Sequence, residues 1–395
     1  MAGLAAAARA AELGLRVVVA EKRPVLGGAA ALSAGIVWTA PDLETLERVV
    51  PDADPGLARA LVEGFDPAIE AVRAAGVAVS ERWSGQMGFG VAHHVDIGAL
   101  LERWREQVEA RGGEVLTDTP VQRLLDDHAG AVLLATGGFQ GDRALLRELI
   151  GTDELLLRAL PESCGDGLRI SRAAGAADSP RMDTFYGHLV PHPLRRFEPA
   201  DFLPLTQYHS RDGVLVNRAG RRFCHETRGD EVSTQAVLRQ PGRRAVLLCD
   251  ESVRRHAVGA PYPHGAVVDR FTAAAAAGGR MASEPTLDAL AGQVAAWGVD
   301  EPELRRTFAA AADRLREPPF HALEVQPAIT FTLGGVRVDA DGRALDANGA
   351  PVPGLWVAGA DAGGLQGPGY VGGLALGLVF GRRAAESIAN ALVTT

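Results

Sequence analysis

GLWVAGADAGGLQGPGYVGGLALGLVFGR, Gly354 to Arg382, decides how the rest of the chain is read. Leu355 to Ala358 reads as a short buried strand. Gly359-Ala360-Asp361 ends it and sets a carboxylate just past the strand end. Seven glycines fall between Gly359 and Gly373, interrupted by one aromatic hydroxyl, Tyr370. Leu374 to Ala385 is small and apolar and reads as a helix. The pair Gly372-Gly373 directly before it lets a ligand touch the backbone. The unpaired N–H groups of the first turn and the positive end of the helix dipole then point at that ligand. The arrangement suits a group that becomes anionic. Glycine this dense costs roughly 0.5–1 kcal/mol per misplaced residue, which disfavours a plain connection with nothing to bind.

At 395 residues the chain is long enough for two domains and a large core. Its net charge of -9 argues against a nucleic-acid partner. The cations are nearly all arginine, with Lys22 the one lysine. No apolar run reaches the roughly 18 residues that a membrane helix needs. The alanine-rich start carries Arg9, Glu12 and Arg16 and so lacks a signal-peptide core. Cys164, Cys224 and Cys249 follow no CxxC or Cys/His metal spacing. They read as buried thiols of a reducing compartment, which places the protein in the cytoplasm, and no metal is expected.

Working outward from the C-terminal stretch to the chain's start, residues 4–14 read as a helix stopped by Gly14. Leu15 to Ala20, LRVVVA, reads as a strand buried on both faces. Glu21 follows, 18 positions after Gly3, where a dinucleotide-binding unit places the acid that bonds ribose hydroxyls. Met1-Ala2-Gly3 would supply only the last part of the G-x-G-x-x-G motif, and the strand before it is expected to be missing. Lys22 to Gly35, KRPVLGGAAALSAG, adds the pair Gly27-Gly28 and a loop ending at Ser33-Ala34-Gly35, suited to a pyrophosphate and ribityl chain or simply an ordinary turn. Residues 41–128 read as helical segments joined by loops, with a helix from Val95 to Ala110 and a short strand at Glu114–Thr117. Ala131 to Phe139 reads as a strand ending in Ala-Thr136-Gly137-Gly138, which suits close packing against an adenosine. Asp166 in Cys-Gly-Asp-Gly is placed to cap the next helix.

From about residue 188 proline, arginine and histidine become frequent. Gly213 to Arg222 reads as a hairpin turning at Asn217–Gly220. Residues 270–318 read as helical, and Ala328 to Asp339 as a strand broken by Gly334-Gly335. Two glycine-rich α/β parts, 1–187 and 331–395, thus flank a middle part, 188–330. A cofactor domain with an inserted cap would produce this order.

The strings EKRPVLGG, LLATGGF, GDGLRISRAAGA, VLVNRAGRRFCHETRGD, ITFTLGG and PVPGLWVAGADAGG…GYVGG…VFGR, in this order, resemble the superfamily of fumarate reductases, succinate dehydrogenase flavoprotein subunits, ketosteroid dehydrogenases and tricarballylate dehydrogenases. The resemblance implies an α/β fold: a Rossmann-like FAD-binding domain with an inserted α+β capping domain and substrate between cap and flavin. It implies that Gly3, Glu21, Lys22, Gly27 and Gly28 hold the diphosphate and ribose. Ser33 and Gly35 would line the flavin, and Thr136, Gly137, Asp166 and Gly359 would belong to the same cofactor shell. Asp361 would meet the ribityl chain, and Gly373, Leu374, Ala375 and Leu376 would present backbone N–H groups to the flavin. No histidine lies in 29–34, where complex-bound members attach flavin covalently, so non-covalent FAD is expected.

The same resemblance places Arg228, in ETRGD, at the fumarate reductases' proton-donating arginine. His188 or His192 matches the histidine that binds a substrate carboxylate. Phe331 and Tyr370 stand where that branch has a histidine and an arginine, which argues against a four-carbon dicarboxylate and brings the motifs nearer to tricarballylate dehydrogenases. A tyrosine near Tyr370 is also similar to the carbonyl-polarising phenol of ketosteroid dehydrogenases. The expected reaction is hydride transfer between FAD and a C–C bond next to a carboxylate or carbonyl, with Arg228 or Tyr370 handling the proton and Glu226 or Asp230 as a relay for Arg228. Against these roles stand plainer ones: Arg228 in a salt bridge, Tyr370 as a packed ring, His188 as a structural side chain. A flavin-binding scaffold without turnover is the alternative from another class. With no haem or iron–sulfur motif in the chain, electrons are expected to pass to a separate partner or to oxygen.

Overall fold

The computed structural model describes residues 1–124, 130–259, 268–367 and 369–393. The chain forms two compact units: Met1–Asp153 with Ala159–Phe185 and Phe331–Thr395, and Glu154–Arg158 with Tyr186–Thr330.

In the first unit, strand Val18–Ala20 pairs in parallel with Glu114–Leu116. Strand Pro351–Val357 pairs in parallel with Val132–Leu134 and antiparallel with Arg343–Leu345. Helix Ala2–Glu12 lies on the long C-terminal helix Gly373–Val393. Their backbones approach so closely that a Cβ on Gly381 would fall 2.5 Å from the Ala2 carbonyl oxygen. Only glycine fits there, and alanines fill the rest of the seam, Ala6 and Ala10 packing with Ala385.

The segment Leu15–Ala20 is not buried on both faces. Leu15, Val17 and Val19 are half-buried while Arg16, Val18 and Ala20 are exposed, with Val18 57% exposed. Its one paired neighbour among the described residues is Glu114–Leu116, and a period-two strand with one packed face alternates in this way.

The stretch 41–128 is less helical than its pattern implies. Helices Leu43–Val49, Pro55–Ala74 and Ile97–Ala110 form, each with an aspartate cap: Asp42, Asp54 and Asp96 accept N–H groups of the first turn. Between them, Trp83–Gln86 and Gly90–His94 join Ile36–Thr39 in an antiparallel sheet. Residues 125–129 of this stretch lie outside the described residues.

The second unit is built on one sheet in the order Met281–Glu284, Phe320–Thr332, Ala245–Asp250, Val214–Val216. The sheet is packed on both faces, with strict alternation along Ala245–Asp250. Val246 and Leu248 point to a core with Leu290, Val294, Leu304 and Phe308; Ala245, Leu247 and Cys249 point to another with Val237 and Phe271. One expectation fails here: residues 281–284 are a strand inside the stretch read as helical. The 213–222 segment does turn at Asn217–Gly220, with the Gly220 N–H on the Asn217 carbonyl, the Asn217 N–H on the Arg221 carbonyl and Val216 bridging Arg222, while the longer partner of Val214–Val216 is Ala245–Asp250. Of the thiols read as buried, only Cys249 is, while Cys164 and Cys224 are half-buried.

Candidate functional site

In the first unit the residues singled out by sequence gather around two backbone features. The first is the turn after Glu21. Gly27 takes a left-handed conformation, φ +112°, and opens a short 3-10 turn, Gly28–Leu32. The N–H groups of Gly28 and Ala29 have no partner among the described residues, and the space beside Gly28 is open, a Cβ there meeting nothing within 4 Å. Glu21 stands at the strand end, where one carboxylate oxygen accepts the Arg23 N–H at 2.9 Å. Ser33 donates to the Ala30 carbonyl and accepts the Gly35 N–H, closing the loop, and Gly35 has φ +74°.

The second feature is the start of helix Gly373–Val393. Leu376 N–H bonds the Gly372 carbonyl and Gly373 N–H bonds the Tyr370 hydroxyl oxygen at 2.8 Å. Leu374 and Ala375 N–H groups remain without partners among the described residues, as a helix start leaves them. Tyr370 is buried and meets Trp38 and Phe331 edge-on, with centroids at 5.3 and 5.8 Å. The phenol is thus a packed ring and a helix cap at once.

Asp361 is differently engaged. It is 2% exposed, and its carboxylate accepts the N–H groups of Thr136, Gly137 and Gly138 and the Thr136 hydroxyl. Burial raises its pKa, with the four donors pulling the other way. Thr136 Oγ1 also accepts the Gly167 N–H at 2.8 Å, which ties the Ala-Thr-Gly-Gly turn to helix Asp166–Ala173. Gly359 opens the turn that carries Asp361 and has φ +74°. Asp166 caps nothing. It is the first helical residue, Gly165 holds the cap position, and the Asp166 carboxylate pairs with Lys22 Nζ at 2.6 Å. Gly3 lies in helix Ala2–Glu12, one methyl width from Ala135. Open glycine backbone, two sets of unpaired N–H groups and an acid at a strand end fit a dinucleotide such as FAD, with Gly28, Ala29, Leu374 and Ala375 as the donors.

The second unit holds the candidate acid–base and anion groups. Arg228 ends the short turn Glu226–Arg228, before Gly229 at φ +122°; it is exposed and has no side-chain partner among the described residues. Neither expected relay touches it. Glu226 is buried and held by Arg222 at 2.6 Å, Arg314 at 3.2 Å and the Leu215 N–H at 2.9 Å. Asp230 is held by His188 Nδ1 and by the Ser210 hydroxyl at 2.8 Å. Glu226, with four donors on its two oxygens, has no acceptor site left for another arginine, and Asp230 is committed to His188 and Ser210.

His188 is buried, its ring edge-on to Tyr186 at 4.9 Å and Tyr208 at 5.1 Å. Burial holds its pKa below the ordinary value; Asp230 opposes this and Arg158 adds to it. Neutral His188 therefore donates Nδ1–H to Asp230, which leaves the Nε2 lone pair as the proton acceptor of the ring. His192 is bound in the same way, Nδ1 to Glu324 at 3.0 Å. One residue escaped the sequence reading: Arg158, which bonds Thr206, Thr330, Tyr208 and the Phe202 carbonyl. No motif surrounds it; its signal was a single arginine in the apolar run LLLRAL.

The sequence pattern of the FAD binding domain matches residues 1–376. Fumarate reductase (cytochrome) of Shewanella frigidimarina is 28% identical over 458 residues, spanning 98% of this chain and 75% of its own length. Among solved structures, the open conformation of a flavocytochrome c3 fumarate reductase superposes with a TM-score of 0.70 at 20% identity, covering 99% of this chain and 76% of its own. The 3-ketosteroid delta1-dehydrogenase of Sterolibacterium denitrificans gives 0.77 at 19% identity, with 98% of each chain covered. The two structural likenesses speak for the fold: an α/β FAD-binding fold with an inserted cap.

Proposed function

Because the chain belongs to the FAD binding domain family, we propose that it oxidises or reduces a C–C bond next to a carboxylate or carbonyl of a small organic acid, as tricarballylate dehydrogenases and fumarate reductases do. It is an FAD-dependent oxidoreductase of CH–CH groups. The observation that carries the substrate reading is the set of groups in the second unit, which holds both the His188–Asp230 dyad and an exposed Arg228 with no side-chain partner among the described residues.

Bound FAD supplies hydride exchange at one carbon of the C–C bond. The chain's residues do the rest. Leu374 and Ala375 N–H groups, at the positive end of the helix dipole, favour charge developing on the ligand they face. Arg228 handles the proton of the neighbouring carbon. Its guanidinium is protonated at any ordinary pH, and because it is exposed, solvent restores the proton it hands over. His188 accepts or orients through Nε2 while Asp230 fixes the ring. With no histidine in 29–34, FAD is held without a covalent bond. Electrons reach or leave it through a separate partner, and unpaired cysteines suit the cytoplasm.

A ketosteroid dehydrogenase-like reaction is the second reading. It is favoured by the Gly373 N–H bonded to Tyr370 Oη, which polarises the phenol toward donating to a carbonyl. The test is anaerobic bleaching of the oxidised flavin band by tricarballylate or 4-androstene-3,17-dione, and its return when fumarate is added to reduced flavin, in wild type and in Arg228→Ala. A general acid contributes about 10²–10⁴ in rate, and Arg228→Ala should lose that much with an organic acid. Bleaching at an undiminished rate removes Arg228 from the mechanism. A chain that takes up no FAD refutes the enzyme reading.

A further inference from the structure

Arg158 carries a buried charge with no carboxylate beside it among the described residues. This side chain is 5% exposed. A guanidinium has five N–H donors. Nε bonds Thr206 Oγ1 at 3.0 Å, Nη1 bonds Thr330 Oγ1 at 3.0 Å, and Nη2 bonds Tyr208 Oη at 3.0 Å and the Phe202 carbonyl at 3.2 Å. All four acceptors are neutral, and one Nη1–H is left over. Phe202 stacks on the guanidinium at 4.3 Å and Phe197 lies at 5.8 Å. Among the described residues no carboxylate pairs with it.

The other buried charges of this unit with a complete set of partners show what compensation looks like. Glu226 has Arg222 and Arg314; Glu324 has His192 and Arg280. Taking a cation out of water without an anion is strongly unfavourable. A planar cation fixed by four hydrogen bonds and an aromatic face is also held in place for an anion, which it would meet through the remaining Nη1–H and its charge. Its neighbours belong to the proposed acid–base set. Tyr208, held by Arg158, lies edge-on to His188, which is held by Asp230.

We propose that Arg158 is the anchor for a substrate carboxylate, so that the enzyme takes organic acids and not neutral ketones. This rests on the oxidoreductase reading and narrows it. The acid's negative charge completes the buried pair, and binding, not the chemical step, supplies the interaction. Arg158 is then a specificity residue that touches substrate, distinct from Arg228 and Tyr370.

The experiment uses FAD-loaded enzyme as wild type, Arg158→Met and Arg158→Lys. Two readouts are taken: KM and kcat for tricarballylate and fumarate, and the Tm increase that each acid produces in the absence of an electron partner. Losing one member of a buried charge pair costs on the order of thirtyfold in binding or more. Arg158→Met should raise KM by that factor with kcat changed far less. It should also lose the acid-induced Tm increase, while its ligand-free Tm stays level or rises because an uncompensated charge is gone. Arg158→Lys should keep the fold and recover part of the binding. Three results overturn the proposal: an unchanged KM, an unchanged acid-induced Tm increase, or wild-type binding of 4-androstene-3,17-dione with no response to either acid. The Tm readout needs no turnover, so flavin that no compound reduces counts against the oxidoreductase reading alone.

Discussion

Glu231→Gln should make the protein more stable at alkaline pH and leave it nearly unchanged in acid. Glu231 lies in the first turn of helix Asp230–Leu238 and is 3% exposed, and its Oε2 has no hydrogen-bond partner among the described residues. Burial pushes its pKa up from the ordinary 4.5 to about 7, with the Asp230 charge acting in the same direction and Arg211 against it. Between those two values the folded chain binds more protons than the unfolded chain, so this residue's contribution to stability falls as pH rises through the window. A pKa difference of roughly 2.5 at 1.36 kcal/mol each amounts to about 3 kcal/mol lost by pH 8, against about 1 kcal/mol or less at pH 5. Glutamine has the same shape and does not ionise. At pH 8 the variant should therefore melt about 6–12 °C higher, at roughly 2–4 °C per kcal/mol for a unit of this size. Thermal unfolding of wild type and variant at pH 5 and pH 8, followed by circular dichroism, measures this. An offset in Tm that is the same at both pH values, or a variant less stable at pH 8, refutes the idea that a desolvated acid sits there.

Two further substitutions test the first unit. Asp361→Asn replaces one carboxylate oxygen by an amide donor facing two of the four donors now satisfied, so about 2–6 kcal/mol should be lost at about 1–3 kcal/mol per orphaned group; urea unfolding measures it, and an unchanged midpoint excludes this role. Gly381→Ala should destabilise by about 1–3 kcal/mol even though alanine is the better helix former by about 1 kcal/mol, because the new methyl meets the Ala2 backbone; a gain in Tm would mean that the helices part without loss.

What was legible in the sequence is local. The strand, glycine turn and helix of the C-terminal stretch were readable because buried β-branched residues, glycine pairs and small apolar runs each have one physical use. The break at Gly334-Gly335 was readable for the same reason, since a Cβ on Gly335 would lie 2.2 Å from the Asp361 carbonyl oxygen. The sheet around Gly90–His94 was not, because two histidines and an alanine carry no strand propensity. It forms through pairing with Ile36–Thr39, far away in sequence. The partners of Glu226 and Asp230 were hidden likewise: Arg314 and His188 lie far off along the chain, so spacing near ETRGD suggested a relay that long-range hydrogen bonds had already taken. Arg158 was hidden because an arginine in a sequence reads as surface until its burial is known.

The ion pair between Lys22 and Asp166 has a practical consequence. Lys22 is the one lysine in this sequence, its side chain is 27% exposed, and its Nζ lies 2.6 Å from Asp166 in the shell of glycine turns. An amine-directed dye offered to these residues has, apart from a terminal amine, this single side chain to modify. Acylation removes the charge and breaks the pair. The rate of labelling, read by mass spectrometry with and without added FAD, is thus a built-in reporter of whether that corner of the protein is closed, obtained without changing a residue.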